Sequence, residues 1–335
     1  MVILALADIV RDIRYIGDEI GTSRAWHSMI DLRDATYFVA IAEAGSLALA
    51  AEKLGRTQPA LSKCIQRLED DLLTELFRHE GRRLALTQAG EVFYARARTL
   101  LGYASEVRRE ISDLGTGIAG LVKIGSAATA AEYMLPPITA ELIRQAPSVN
   151  LELTVGMNDV LIRGLVEKNL DLVFGPLTQM TRDSESFESF PLVADDVVAV
   201  ASHDHPIFDQ TVTLDELANY KWVLSGRAVA TRQWLEDKFS SLGLGAPRVQ
   251  METSSISLLP RLIAETKLLS FISRRNLAPG AVGSQLREIP LQQTTMRREF
   301  GMIRLREAYF TPAAKLLVRI ANESKADLGG RSDLS

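Results

Sequence analysis

Between Gln58 and Arg67, polar side chains recur at helical spacing: Gln58, Ser62, Lys63, Gln66 and Arg67 share one face with Pro59. The other face carries Leu61, Ile65, Leu68 and Leu72, spaced by four, three and four. A glutamine amide matches the donor–acceptor pair on an adenine edge, lysine and arginine suit guanine or phosphate, and serine suits either. The chemistry on offer is recognition of nucleic acid rather than bond-making. On these residues alone a solvated helix face is an equal reading, because basic amphipathic faces are common. A second candidate is His203-Asp204-His205, the sole cluster that resembles a metal or acid–base site in a chain with 4 histidines. It follows a strand and precedes Pro206, so an exposed loop is expected, since a metal site needs more convergent ligands. A third is the pair Ser126 and Thr129, which follow one strand and open a helix, with Arg227 after another strand end. Backbone N–H groups and hydroxyls there favour an anion, and a guanidinium fork suits a carboxylate, although Arg227 paired with a surface acid is the plainer alternative.

These residues need elements to hold them. Leu32, Ala35, Phe38, Val39 and Ala42 predict a first helix over 32–43, stopped by Gly45. Ser46 caps a short alanine-rich helix, Leu47–Leu54, and Gly55-Arg56 makes a tight turn. Thr57 caps the third helix, with Pro59 in its first turn, where a missing N–H costs nothing. Two helices joined by a tight turn, the second bearing a polar and basic face, make a helix-turn-helix. Phe77–Thr87 then forms a hairpin with Gly81 at its turn and Arg82-Arg83 beside it, a wing placed to reach phosphates or the minor groove. Residues 32–90 carry eight basic and eight acidic side chains, so binding must rest on segregation of charge. Arg56, Lys63, Arg67, Arg82 and Arg83 gather on the candidate face, away from Glu69, Asp70, Asp71 and Glu75.

From Thr87 a long helix runs to about Leu114. Phe93, Ala97, Leu100, Ala104, Val107, Ile111 and Leu114 alternate four and three, which reads as a coiled-coil seam awaiting a second copy. A helix packed on its own domain is the competing reading. Gly115, Gly117 and Gly120 break the pattern and suggest a hinge. Beyond it, strands and helices alternate from LVKIG at 121–125 through LDLVFG, then again from DDVVAVAS at 195–202. That rhythm predicts parallel sheet covered by helices, in two lobes with a cleft between them.

Composition narrows the field. The 335 residues allow two or three domains, and a net charge of −4 excludes a generally basic nucleic-acid binder. Cys64, the only cysteine, excludes an internal disulfide and fits a reducing cytoplasm. It reads as a small buried hydrophobe rather than a redox switch, having no second thiol to resolve an oxidised one. No apolar run approaches the roughly 20 residues of a membrane span. Residues 1–28 read as a loosely attached extension of no assigned function, with Met29 a plausible first residue. No cofactor or metal is expected.

The runs YFVAIAEAGSLALAAEKLGRTQPALSKCIQRLEDDL and LFRHEGRRLALTQAG resemble the DNA-binding module of LysR-type transcriptional regulators, and GLVKIGSAATAAEYMLPPITAELIRQAPSVNLELTVG resembles the start of their effector domain. The resemblance covers about residues 30–325. It implies an N-terminal all-α winged helix-turn-helix over 29–90 and a linker helix over 88–114. After these comes a C-terminal α/β two-lobed, periplasmic-binding-protein-like effector domain over 120–325, with lobe one about 120–194 and 299–325 and lobe two about 195–290. By position it places Arg33, Thr57, Gln58, Pro59, Ser62, Lys63 and the wing Arg82 against DNA, to which the stripe adds Arg67 and the hairpin Arg83. It lines an inducer cleft with Ser126, Ala128, Thr129, Asn158, Ser225, Arg227 and Thr253. Cys64 departs from the polar or basic residue usual at its place, and Ala127 and Ala128 leave few hydroxyls in the first loop. The implied partners are promoter DNA, a small inducer, here a carboxylate, and further copies of the chain, paired through the linker helix and doubled to a tetramer through effector domains. RNA polymerase is counted as a further partner. An enzyme or a solute-binding protein on the two-lobed fold is the rival, and leaves the wing and the heptads unexplained.

Overall fold

The computed structural model describes residues 30–81, 83–113, 118–209, 211–227, 229–253, 255–278 and 283–330. The 1–28 extension, Arg82, Leu114, Gly115 and Gly117 lie outside the described residues. The chain divides into two units, Met1–Ala104 and Ser105–Ser335.

In the first unit, helices α1 (Leu32–Ala44), α2 (Leu47–Leu54) and α3 (Gln58–Leu72) precede a hairpin of β1 (Phe77–Glu80) and β2 (Arg83–Leu86), after which α4 (Gln88–Asp113) begins. Left-handed Gly45 and Gly55 end the first two helices at φ 61, a conformation that costs a side-chain-bearing residue about 1–2 kcal/mol. Asp31 and Ser46 cap the starts of α1 and α2, whereas Thr57 makes no side-chain cap. Thr87 accepts from the Gly90 N–H at 3.0 Å, as a cap for α4 should. Gly90 is required for packing, since a Cβ there would stand 2.1 Å from the Leu76 carbonyl oxygen. Phe38 centres the core, 4.7 Å from the Phe93 ring and 4.9 Å from Phe77 between centroids. Truncating such a ring to alanine costs about 3–5 kcal/mol.

The second unit holds a mixed sheet of β10 (Leu286–Glu288), β6 (Phe187–Ser202), β11 (Met296–Leu305), β5 (Leu172–Pro176), β3 (Gly120–Ser126) and β4 (Val149–Val155), in that order, with β9 (Ser270–Ser273) also on β6. Strands β4, β3 and β5 are parallel, joined by α5 (Ala128–Tyr133), α6 (Leu135–Gln145) and α7 (Asn158–Val166), as the alternation predicts. Helix α12 (Pro312–Glu323) closes their apolar face around Ile124, Ile138, Phe174 and Leu317. The second lobe adds β7 (Lys221–Leu224), parallel to β8 (Arg248–Glu252), with α10 (Ala230–Ser241) packed around Trp222, Leu235 and Phe239 and α11 (Leu259–Glu265) against Val200, Val223 and Ile272. One expectation shifts. The second lobe does not open with a fresh strand at 195, because β6 starts at Phe187 and runs 16 residues through both lobes, antiparallel to β11. The apolar run VVAVAS marks only its buried half; the ladder with β11 fixes its start.

Candidate nucleic-acid interface and ligand site

Helix α3 buries Leu61, Cys64, Ile65 and Leu68 and turns Gln58, Pro59, Ser62, Lys63, Gln66 and Arg67 to solvent. The expected recognition stripe is therefore one exposed surface. Behind it α1 supplies a buried acid that the stripe reading missed. Asp34, 5% exposed, accepts from the Cys64 thiol at 3.2 Å and from Arg67 Nη2 at 2.6 Å. Asp34, Phe38 and Ile41 are spaced four and three, so an acid sitting on an apolar stripe was the available signal. Burial, and then the hydrogen bond to Asp34, pushes the Cys64 thiol up to about 12. The same carboxylate raises Arg67 above its ordinary value. Arg67 thus anchors α3 to α1 with one end of a side chain still 52% exposed. Exposed Arg33 stands 3.9 Å from Asp34. Arg33, Tyr37, Arg56, Lys63 and Arg67 line a concavity of about 580 Å³ beside the stripe together with Asp34 and Asp70, so its cations outnumber its acids, a balance that favours a backbone phosphate.

The wing is held to the recognition helix by its own acid. Glu69 Oε1 accepts from the N–H groups of Leu76 at 2.7 Å and Phe77 at 3.1 Å, fixing where β1 begins. Glu80 pairs with Arg83 across the ladder, and Arg83 is exposed at the tip. Arg78 is bound to Glu80 at 2.8 Å, so its charge is already met.

Along α4 the predicted seam splits. Phe93 joins the Phe38 cluster and so serves the first unit's own core, and Ala97 is buried within the chain. Leu100, Val107 and Ile111 are exposed, and Val92 and Tyr103, which the heptad reading passed over, join them. Ala104 is half-buried.

At the candidate ligand site, the loop after β3 and the end of β5 meet the start of α7. A Cβ placed on Gly175 would lie 3.7 Å from Asn158 Oδ1 and 3.8 Å from the Ala127 Cβ. Asn158 Oδ1 is buried and has no hydrogen-bond partner among the described residues. The meeting point lies past the carboxyl ends of three parallel strands, where open α/β sheets bind ligands. Ala128 and Thr129 are half-buried beside it. Ser126 differs from expectation: it is fully buried and its hydroxyl donates to the Ala127 carbonyl at 3.0 Å, so it is spent on the loop. From the other lobe, Ser225 is buried and its carbonyl accepts from Arg232 Nη1 at 3.2 Å. Arg232 in turn binds Glu236, and the pair pins the start of α10. Arg227 is exposed, and Thr253 donates its N–H to the Leu224 carbonyl at 3.0 Å. Tyr133 donates to Asn276 Oδ1 at 3.2 Å, a hydrogen bond from lobe one to lobe two.

His205 is 1% exposed, which corrects the exposed-loop reading for that residue. Its Nδ1 accepts from the Ile207 N–H at 3.0 Å and its Nε2 faces the Lys267 carbonyl at 3.1 Å, so the ring is held as a neutral tautomer. Asp204 is exposed and paired with Lys267 at 2.9 Å. The described residues contain no group of side chains able to hold a metal ion, and no described helix is long and apolar enough to cross a membrane.

Comparison with known proteins agrees with this division. Residues 32–91 match the family described as bacterial regulatory helix-turn-helix protein, lysR family, and residues 115–326 match the LysR substrate binding domain. The uncharacterized HTH-type transcriptional regulator YbhD of Escherichia coli (strain K12) is 30% identical over 317 residues, covering 89% of this chain and 94% of that protein. CysL, an HTH-type transcriptional regulator of Bacillus subtilis, is 26% identical over 267 residues, with 79% of this chain and 88% of CysL covered. Among solved structures, CbnR, a LysR family transcriptional regulator, superposes with a TM-score of 0.64 at 20% identity, covering 88% of this chain and 99% of that one. Full-length CbnR bound to its target DNA gives 0.62 at 20% identity, over 88% and 100%.

Proposed function

The chain belongs to the LysR family of DNA-binding transcriptional regulators, and from that premise we propose that it reads promoter DNA through α3 and the wing and answers to a small molecule held between its two effector lobes. The family is one of regulators rather than enzymes. Gln58, Ser62 and Lys63 take the base edges, Pro59 makes an apolar contact beside them, and Arg33, Thr57, Arg67, Arg82 and Arg83 hold the phosphate backbone. Exposure of the whole stripe, and the cationic concavity beside it, support these roles. Its work on promoter DNA belongs in the cytoplasm, where it also meets RNA polymerase.

The observation that carries the ligand half is the buried, unpartnered Asn158 Oδ1 at the junction of three loops. A buried polar atom without a partner costs about 1–3 kcal/mol, which a ligand donor would recover. The ligand proposed is a small carboxylate-bearing metabolite with a hydroxyl or amine: the donor meets Asn158, and the acid meets the half-buried Thr129 loop and Arg227 on the opposite lobe. A ligand moves a two-state protein only by binding one state better, and the two lobes joined by β6 and β11 supply such states. A thermal-shift screen of the full-length protein against small organic acids, neutral sugars and amines tests the reading. Hydroxy or amino acids should raise the midpoint, and Asn158→Ala and Arg227→Ala should each weaken that shift. Stabilisation by uncharged or cationic compounds alone contradicts it.

Assembly follows the same premise. The exposed stripe of α4 supports a dimer. The free edge strand β4, with exposed Leu153 and Val155 beside exposed Val160 and Val166 of α7, supports joining two dimers into a tetramer.

A further inference from the structure

Helix α4 carries a second face that the dimer seam does not use. Glu106, Arg109 and Asp113, spaced three and four, lie opposite exposed Val107 and Ile111, and all three meet lobe one. The Glu106 carboxylate accepts from the Tyr309 backbone N–H and pairs with Lys168, and the two side chains are 9% and 7% exposed. Arg109 Nη1 donates to Asp171 Oδ1 at 2.7 Å, while Asp171 Oδ2 accepts from the Lys123 N–H in the middle of β3 at 2.8 Å. Tyr309 Oη donates to Asp113 Oδ2 at 3.2 Å.

We infer that Glu106 and Lys168 are positioning residues which clamp the last two turns of α4 onto lobe one, so that helix end and lobe move as one piece. The inference rests on the reading of the chain as a ligand-responsive regulator, whose effector domain must act on the helix that carries its DNA-binding unit. Two observations set the clamp apart from ordinary packing. A buried ion pair repays its desolvation poorly, so it is a weak stabiliser, whereas removing one partner is costly. Such a pair defines a position more than it adds stability. The second is backbone strain. Lys168 ends α7 at φ 56, the left-handed conformation in which glycine is usual. A lysine there makes the turn harder, and its ammonium is what the position supplies.

Hydrogen exchange of the full-length protein, followed by mass spectrometry on peptides from 105–113, β3 and β5, tests the clamp without any ligand or DNA. In the unmodified protein, 105–113 should be protected with β5. Lys168→Gly relieves the strain but removes the charge, and should speed exchange of 105–113 by roughly a hundredfold or more while β3 and β5 stay protected. Lys168→Arg, which keeps the cation, should restore protection. Should Lys168→Gly also release β5, Glu106→Gln carries the comparison, because it keeps an acceptor for Tyr309 and loses only the charge. Protection of 105–113 unchanged in Lys168→Gly, or unchanged in Glu106→Gln where Glu106→Gln carries the comparison, overturns the clamp, as does rapid exchange of that segment in the unmodified protein. Because the readout involves neither DNA nor inducer, failure here leaves the regulatory reading intact.

Discussion

Asp34 does at the scale of single residues what the recognition stripe cannot do for itself. Its buried carboxylate takes the Cys64 thiol and one end of Arg67, and so fixes the rotation of α3 against α1. With its pKa pushed up to about 12, Cys64 carries almost no thiolate at pH 8 and should resist iodoacetamide in the native protein, then react once urea unfolds the chain. Stoichiometric native labelling, read by mass spectrometry, would contradict that. His205 gives a pH dependence of known sign. Burial lowers its pKa below the ordinary 6.5, which the unfolded chain retains. The unfolded state therefore takes up more protons as pH falls through 6.5, so stability is kept above that value and declines below it. The melting midpoint should drop more steeply between pH 7.5 and 5.5 in the native protein than in His205→Gln, and equal slopes would refute the buried neutral imidazole. The face of α3 was legible because a helix displays every third or fourth residue. Asp34 was legible only in part, since its place on an apolar stripe hints at burial while its partners, 30 and 33 positions away, are invisible in the local pattern.

Helices announce themselves through periodicity, but not what each face meets. Phe93 fits a heptad as well as Leu100 and Val107 do, yet it packs on the helix's own unit, because a seam and a core face share one spacing. The exposed set Val92, Leu100, Tyr103, Val107 and Ile111 is what remains for a partner, with Glu106, Arg109 and Asp113 behind it. Replacing Leu100 and Val107 together by aspartate should produce smaller species in light scattering and lose specific DNA binding, with a lower melting midpoint because subunit association no longer supports the fold. A native mass in that variant would rule out the seam. Strands were read less well than helices where they cross between lobes. The 16-residue β6 mixes buried and exposed stretches, and its length is set by the ladder to β11, about a hundred residues away, rather than by its own pattern.

On the scale of the molecule, the order of parts was legible from the run between Gly45 and Leu76 and from the later alternation of strands and helices. The proposed ligand site was legible only as a set of loops. Which of its polar atoms are spent, as Ser126 is, and which are left over, as Asn158 is, depends on packing between loops distant in sequence. The parts make a regulator only if α3 reads sequence, and Gln58 at its solvent face is the residue proposed for that role. The most direct measurement is the affinity of Gln58→Ala for its selected DNA site and for random duplex, titrated across salt. Losing one base contact should cost about 1–3 kcal/mol on the selected site alone. Random-duplex affinity and the salt slope should not change, because glutamine neutralises no phosphate. A specificity ratio equal to that of the unmodified protein would contradict the account.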